Sequence, residues 1–422
     1  MQEAFLQFLW RYQKFSTPQL TTANGDSLRV LQPGVWNEAE GPDFKNAKIR
    51  LGEVMWTGHV EVHLKSSDWW HHQHHRDPNY DAVILHVVWD HDRLIFSPSG
   101  TPIPTLILSE FVARRWMDNY RQRFSATHPW IPCAASLQYF PEEKWDGWKD
   151  RLLIERLNAK TDWIYSELSN TQNDWEAVLF RQLAQSFGLH ANGAAFAEIA
   201  RQIPMAVLRK LHHPQALEAL FLGSAGLLPS DTEEGYALEL KTLYRYLQRK
   251  FRLSVTAPPS FQFARLRPAN FPTVRWALLA ALYGRHPRPF RELIDAQRPD
   301  DIRWLTSVQA SAYWDTHYTF GARSRQQKKK ISTAFFELLL INCMIPIRFA
   351  YAKTQLHFDP EAYLDWFYQL KPEKNRIVER YQQMGVAVRS AAGSQALLQL
   401  YRKYCQPKKC LSCAVGFYLM HE

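Results

Sequence analysis

The segment Gly58–Lys65 (GHVEVHLK) alternates strictly between apolar and ionisable side chains. A strand turns successive side chains to opposite faces, so Val60, Val62 and Leu64 lie on one side and His59, Glu61, His63 and Lys65 on the other. A helix would scatter both sets around its circumference, so the pattern commits this stretch to a sheet with one apolar and one ionisable face. Ordinary solvated strands alternate too, mostly with Thr, Lys, Glu or Gln. Two histidines flanking a glutamate instead place metal-ligating and proton-transferring groups on one surface.

Similar runs predict further strands at Leu28–Gln32, Phe44–Leu51, Val54–Lys65, Ala82–Asp90 and Leu94–Ser97, with Gly52 and Glu53 as a turn. Ala4, Phe5, Phe8, Leu9 and Tyr12 recur at helical spacing and predict an amphipathic helix over residues 3–15. Leu108–Arg123 predicts a second helix. Further on the periodicity becomes helical throughout. Trp145, Trp148, Leu152, Leu153 and Leu157 share one side of a helix. Ser230–Glu233 is a capping-box pattern before a helix carrying Leu240, Leu243 and Leu247. Asp359 and Pro360 supply an N-cap and a first-turn proline. The expected fold is α+β: a mixed sheet with flanking helices in residues 1–130, then a mostly α-helical domain in 131–422. The boundary falls near His128–Tyr139.

Composition narrows the class. An apolar share of 46% over 422 residues excludes a disordered chain. The apolar stretch Phe335–Ile347 contains Glu337, Asn342 and Pro346, which reads as a buried helix and implies no membrane partner. The N-terminal segment has Glu3 and Arg11 within its apolar face and no small-residue cleavage site, unlike a signal peptide. Five cysteines, an odd number, argue against a disulfide scaffold, so the expected location is cytoplasmic. Charge is uneven: residues 1–130 hold 13 Lys+Arg against 14 Asp+Glu, and residues 131–422 hold 38 against 27. A basic helical part suggests an acidic partner such as nucleic acid, while no protein partner is indicated.

Upstream of the alternating strand, Pro42 shapes a turn that puts Asp43 at the mouth of the next strand, within reach of Glu61. Two neighbouring carboxylates repel, and a divalent cation is the usual way to offset that. Pro42-Asp43, followed after seventeen residues by Glu61-Val62-His63, resembles the PD-(D/E)XK phosphodiesterase superfamily. So does the order of a helix, three strands, a connection and a fourth strand. The resemblance implies Asp43, Glu61 and His63 at a Mg²⁺ or Mn²⁺ site, with the Val62 carbonyl as a further ligand. His63 stands where that superfamily has its lysine, and Lys65 projects to the same face two residues on. His59, His72, His74, Asp77 and His86 are candidates for supporting positions. Trp69 and Trp70 are candidates for base stacking. A wider set of strings is similar to domain-of-unknown-function family 2851: GPDFKNA at Gly41–Ala47, GHVEVHLKSSDW at Gly58–Trp69, His72-Gln-His74, DPNYDAVILHVV at Asp77–Val88 and CLSCAVG at Cys410–Gly416.

Two further groups fall in the helical part. Cys405, Cys410 and Cys413 are spaced to wrap Zn²⁺ or an iron–sulfur (4Fe–4S) cluster, with Cys343, Cys133 or His421 as a fourth ligand. Arg265, Arg267, Arg275, Arg323, Arg325, Lys328, Lys329 and Lys330 are candidates for phosphate contacts. The leading expectation is a metal-dependent nuclease, with Asp43 and Glu61 holding the ion while His63 and Lys65 assist water attack. The alternatives are a non-catalytic nucleic-acid-binding protein with a degenerate nuclease fold, or a His/Glu metallohydrolase of a small substrate.

Overall fold

The structure is a computed structural model that describes residues 2–124, 130–230, 235–253, 258–356 and 358–421. It divides into two units: Met1–Trp145 with Leu400–Glu422, and Asp146–Gln399. The first is built on a mixed sheet, the second is mostly helical, and the fold is α+β.

In the first unit, helix α1 (Glu3–Arg11) is followed by strands β1 (Leu20–Thr21), β2 (Ser27–Gln32), β3 (Val35–Trp36), β4 (Phe44–Leu51) and β5 (Val54–Lys65). Then come helix α2 (Asp68–His71), strands β6 (Val83–Asp90) and β7 (Thr105–Ile107), and helix α3 (Arg114–Phe124). The sheet order is β1-β2-β4-β5-β6-β7, with β3 also paired to β4. Strands β2, β4 and β5 are antiparallel neighbours, whereas β5–β6 and β6–β7 are parallel. A parallel step cannot be closed by a hairpin, so residues 66–82 must cross over the sheet between β5 and β6. That crossover carries the histidine-rich tract. Val60 and Val62 of β5 and Leu85 and Val87 of β6 share one core with Phe5, Leu6, Phe8 and Leu9 of α1. The ionisable side of β5 faces away from this core.

Strands β4 and β5 occupy the spans their sequences predict. Helix α1 stops at Arg11 rather than continuing to residue 15, because Gln13 is left-handed (φ +48°). The Gln13 and Lys14 amides then bond to the Trp10 and Leu9 carbonyls in a Schellman-type end. Leu94–Ser97 forms no ladder: only Phe96 bridges Pro102, because the chain reverses tightly at Ser97–Thr101. The edge strand is instead the short β7. Of Leu108–Arg123, the first residues form a 3-10 turn, and α3 begins at Arg114.

The helical unit buries the residues its periodicity marked. Trp148, Leu152, Leu153 and Leu157 lie on the inner side of the helix Glu142–Asn170, and Leu240 and Leu247 on that of Gly235–Phe251. The Ser230–Glu233 capping pattern runs into residues 231–234, outside the described residues. At Asp359-Pro360 the cap is displaced by one residue: Pro360 precedes the helix Glu361–Gln369, and the Asp359 carboxylate accepts from the Glu361 amide at 3.0 Å. Thr333–Ala352 is long and apolar enough to cross a membrane, but most of it packs inside this unit.

Gly58 lets β5 approach β6. A Cβ there would lie 2.4 Å from Ile84 Cγ2 and 2.5 Å from the Ala82 carbonyl oxygen. Gly58→Ala is therefore expected to destabilise the unit by about 1–3 kcal/mol through overpacking against backbone. Urea denaturation measures this, and an unchanged midpoint would show that the strands can separate freely.

Candidate metal centre

The crossover is held at both ends before it presents its histidines. At its start the Lys65 amide donates to the Asp68 carboxylate at 3.0 Å. The Ser67 amide and hydroxyl donate to Asp92 at 2.8 and 2.7 Å, tying it to the loop after β6. Gln73, left-handed at φ +61°, bends the chain between α2 and the turn His74–Arg76, and His72 and His74 flank this bend. Asp77 caps the next turn through the Asn79 amide at 2.9 Å. Trp69 is fully buried, its indole nitrogen donating to the Phe96 carbonyl at 3.0 Å. It stands edge-on to His74, Tyr80 and His86 as a wall, so it is no base-stacking platform.

Four side chains converge above β5. His63 Nε2 lies 3.1 Å from His72 Nδ1 and 3.5 Å from Glu61 Oε1, which is itself 3.4 Å from His74 Nε2. Ligand atoms of His63, His72 and His74 all fall within 4.8 Å of one another. The other His63 nitrogen, Nδ1, is 2.8 Å from Nε2 of buried His86, which the parallel register places opposite Glu61. Tyr80 stacks on His74 with ring centroids 3.9 Å apart.

Asp43 anchors the acidic side. Gly41 is left-handed (φ +94°) and turns the chain so that the Asp43 amide donates to Glu61 Oε2 at 2.9 Å. Its carboxylate in turn accepts from the Val62 amide at 3.1 Å and from the Gln7 side chain at 3.0 Å. The sequence brought Asp43 and Glu61 together correctly, but Gln7 carries no sequence signal beyond being polar on an apolar helix.

The chain matches, over residues 3–376, the family described as Protein of unknown function (DUF2851). It belongs to this family. No curated protein and no solved structure matches it. The matched DUF2851 region includes the whole sheet, the crossover and every donor atom of the convergence.

Burial dominates the electrostatics of this DUF2851 site. It raises the Glu61 carboxyl far above the usual range, with the neighbouring Asp43 charge adding to the effect. Asp43 is raised as well, chiefly by burial, against the lowering effect of its Gln7 and Val62 hydrogen bonds. Glu3 of α1 is pushed up to about 7 by burial, then by Asp43 and Asp68. His63 and His74 are lowered to about 3 and about 4, first by burial and then by neighbouring imidazoles. His86 is lowered as well, first by complete burial and then by His63. His63, His74 and His86 are thus neutral at physiological pH, beside carboxyls that are reluctant to ionise without a cation.

Other sequence candidates lie outside the convergence. His59 accepts from the Asn46 amide at 3.3 Å, and Lys65 is exposed at the end of β5. Among the basic residues, Arg265, Arg267, Arg323, Arg325, Lys328 and Lys330 are exposed. Arg275 is buried, its guanidinium 3.9 Å from the centre of the Phe335 ring. Lys329 is buried too, donating to the Asp315 carbonyl at 3.1 Å. Burial removes these last two from the surface that a phosphate backbone would meet.

Proposed function

We propose that the chain is a metal-dependent phosphodiesterase acting on nucleic acid, with its ion held by Glu61, His63, His72 and His74. The convergence of the three imidazoles, whose ligand atoms lie within 4.8 Å of one another, carries the reading, with Glu61 Oε1 3.5 and 3.4 Å from two of them. Zinc–nitrogen bonds of 2.0–2.1 Å in a tetrahedron require ligand–ligand edges of about 3.3–3.4 Å. Three of the six edges, at 3.1, 3.4 and 3.5 Å, lie around that value. Three imidazoles and one carboxylate suit zinc or iron better than magnesium, which favours an all-oxygen octahedron. The sequence expectation of Mg²⁺ between Asp43 and Glu61 therefore shifts toward the histidines.

The ion, when bound, would lower the pKa of a water and withdraw charge from a phosphoryl oxygen. The chain supplies the rest. The Asp43 amide fixes Glu61, and His86 Nε2 would accept a hydrogen bond from His63 Nδ1–H, leaving His63 Nε2 as a lone-pair donor. Trp69 closes the rear of the site against water. Lys65, exposed beyond the donors, would meet the substrate phosphate.

The choice of a phosphodiester rests on the resemblance of Pro42-Asp43 and Glu61-Val62-His63 to the PD-(D/E)XK pattern in sequence alone. A basic helical unit, with 33 Lys+Arg against 24 Asp+Glu in residues 146–399, suits a polyanion. A second reading, a small phosphoester, is favoured by a cavity of about 530 Å³ lined by Arg11, Trp36, Asn37, Asp43 and Lys408.

The test is cleavage of plasmid, single-stranded DNA, RNA and a chromogenic small phosphodiester, each with Zn²⁺, Mn²⁺ or Mg²⁺. Cleavage of a polymer that needs zinc or manganese and is lost in Glu61→Gln is the expected result. Turnover of the small ester alone selects the second reading, and no turnover of any substrate sinks both.

A further inference from the structure

Four of the five cysteines gather in the first unit, away from the histidines in sequence and from any role in the proposed hydrolysis. Cys133 precedes the 3-10 turn Ala134–Tyr139, and Cys405, Cys410 and Cys413 lie in the returning C-terminal segment. Aromatic contacts join the two stretches. Trp130 stacks on Tyr401 with centroids 5.4 Å apart, and Phe140 meets Tyr418 edge-on at 5.5 Å. Pro132 and Cys410 line the same cavity.

The cysteine loop is tightly built. The Lys408 amide donates to the Cys405 carbonyl and the Cys413 amide to the Cys410 carbonyl, both at 3.1 Å. Lys408 is left-handed at φ +57°. Gly416 is required for closure, since a Cβ there would lie 1.9 Å from the Cys410 carbonyl oxygen. Cys133, Cys405 and Cys413 are buried, Cys410 is half-buried, and all are thiols rather than disulfides. The Cys133 thiol is raised mainly by burial and then by each of the other three, which places all four within electrostatic reach.

We propose that Cys133, Cys405, Cys410 and Cys413 ligate an iron–sulfur cluster. A single zinc held by thiolates at 2.3 Å would need sulfurs about 3.8 Å apart. Cys405, Cys410 and Cys413, separated by four and two residues with a distant fourth cysteine, have a spacing that holds iron–sulfur clusters. In such a cluster the four thiolates are shared among two or more irons, so they stand further apart than around one ion. Binding displaces the thiol protons and leaves a net negative cluster, beside which Lys408 and Lys409 supply positive charge. Cys343 takes no part: it belongs to the helical unit, where its thiol is hydrogen-bonded with Ser186. The proposal is independent of the hydrolase reading and stands even if no substrate is cleaved.

The full chain, purified without oxygen and reconstituted with ferrous iron and sulfide, is expected to carry iron and acid-labile sulfide in equal number, with a brown chromophore that dithionite bleaches. Cys133→Ser and Cys410→Ser should each lose most of that iron, while Cys343→Ser keeps all of it. Circular dichroism of each variant separates loss of the cluster from loss of the fold, and the wild-type iron and sulfide content is decisive by itself. Wild-type protein without iron and sulfide, bound zinc in their place, or full iron in Cys133→Ser would each overturn the proposal.

Discussion

Titrated with zinc, the wild-type chain is expected to bind one ion at the crossover, and His63→Ala to weaken that binding by roughly 100-fold or more. Replacing a residue behind a metal ligand commonly lowers affinity by about 10–100-fold, so removing a ligand should do at least as much. His63 has the largest share of the geometry: it contacts His72, Glu61 and His86, and it stacks on His74 with centroids 5.3 Å apart. His86→Ala removes only the partner of Nδ1 and should fall in the 10–100-fold range. His71→Ala is the control, because His71 is exposed and pairs with Asp68 at 3.4 Å. Competition against a chromophoric chelator reads all four proteins. Equal affinity in wild type and His63→Ala would place the zinc elsewhere.

Much of this centre was legible in the alternation of β5. Period-two patterning fixed which residues share a face, and Pro42-Asp43 fixed where the neighbouring carboxylate enters. Which histidines close the site was less accessible. His72 and His74 lie in an irregular crossover, where the left-handed Gln73 and the buried Trp69 decide the direction of each ring. His59 sits on the ionisable face by parity, yet the bulge between Phe44 and Ala47 leaves the Asn46 amide to bond it. The edge strand was missed for a related reason. Leu94–Ser97 has strand-like composition, but the reversal at Ser97–Thr101 leaves it only a single bridge from Phe96 to Pro102, and Ile95 packs against Trp69 and Tyr80 in a small cluster. Local pattern reports which faces are apolar; it does not report which segment finds an edge to pair with.

The metal-free protein is expected to lose stability as pH rises from 7 to 8.5, and Glu61→Gln to lose less. Burial, with the Asp43 charge, lets Glu61 hold its proton at a pH where the unfolded chain has released it. A carboxyl raised in this way contributes stability in full below its ordinary pKa, and that contribution drains away as pH climbs toward the folded value. His63 and His74 act in the opposite direction, since their folded values near 3 and 4 lie below the unfolded one. Their contribution is complete by about pH 7, where imidazole is mostly neutral in both states, so it does not mask the decline above. Glu3 and the buried thiols are common to both proteins and cancel in the difference. The slope for one proton is at most about 1.4 kcal/mol per pH unit, measurable by urea denaturation at several pH values. Zinc reverses the trend, because it needs Glu61 ionised and the histidines already neutral. At pH 7, binding should release about one proton, read by calorimetry in buffers of different ionisation enthalpy, and none in Glu61→Gln. Release of two or more would assign the protons to the histidines. None from wild type would mean that Glu61 is already ionised without the metal.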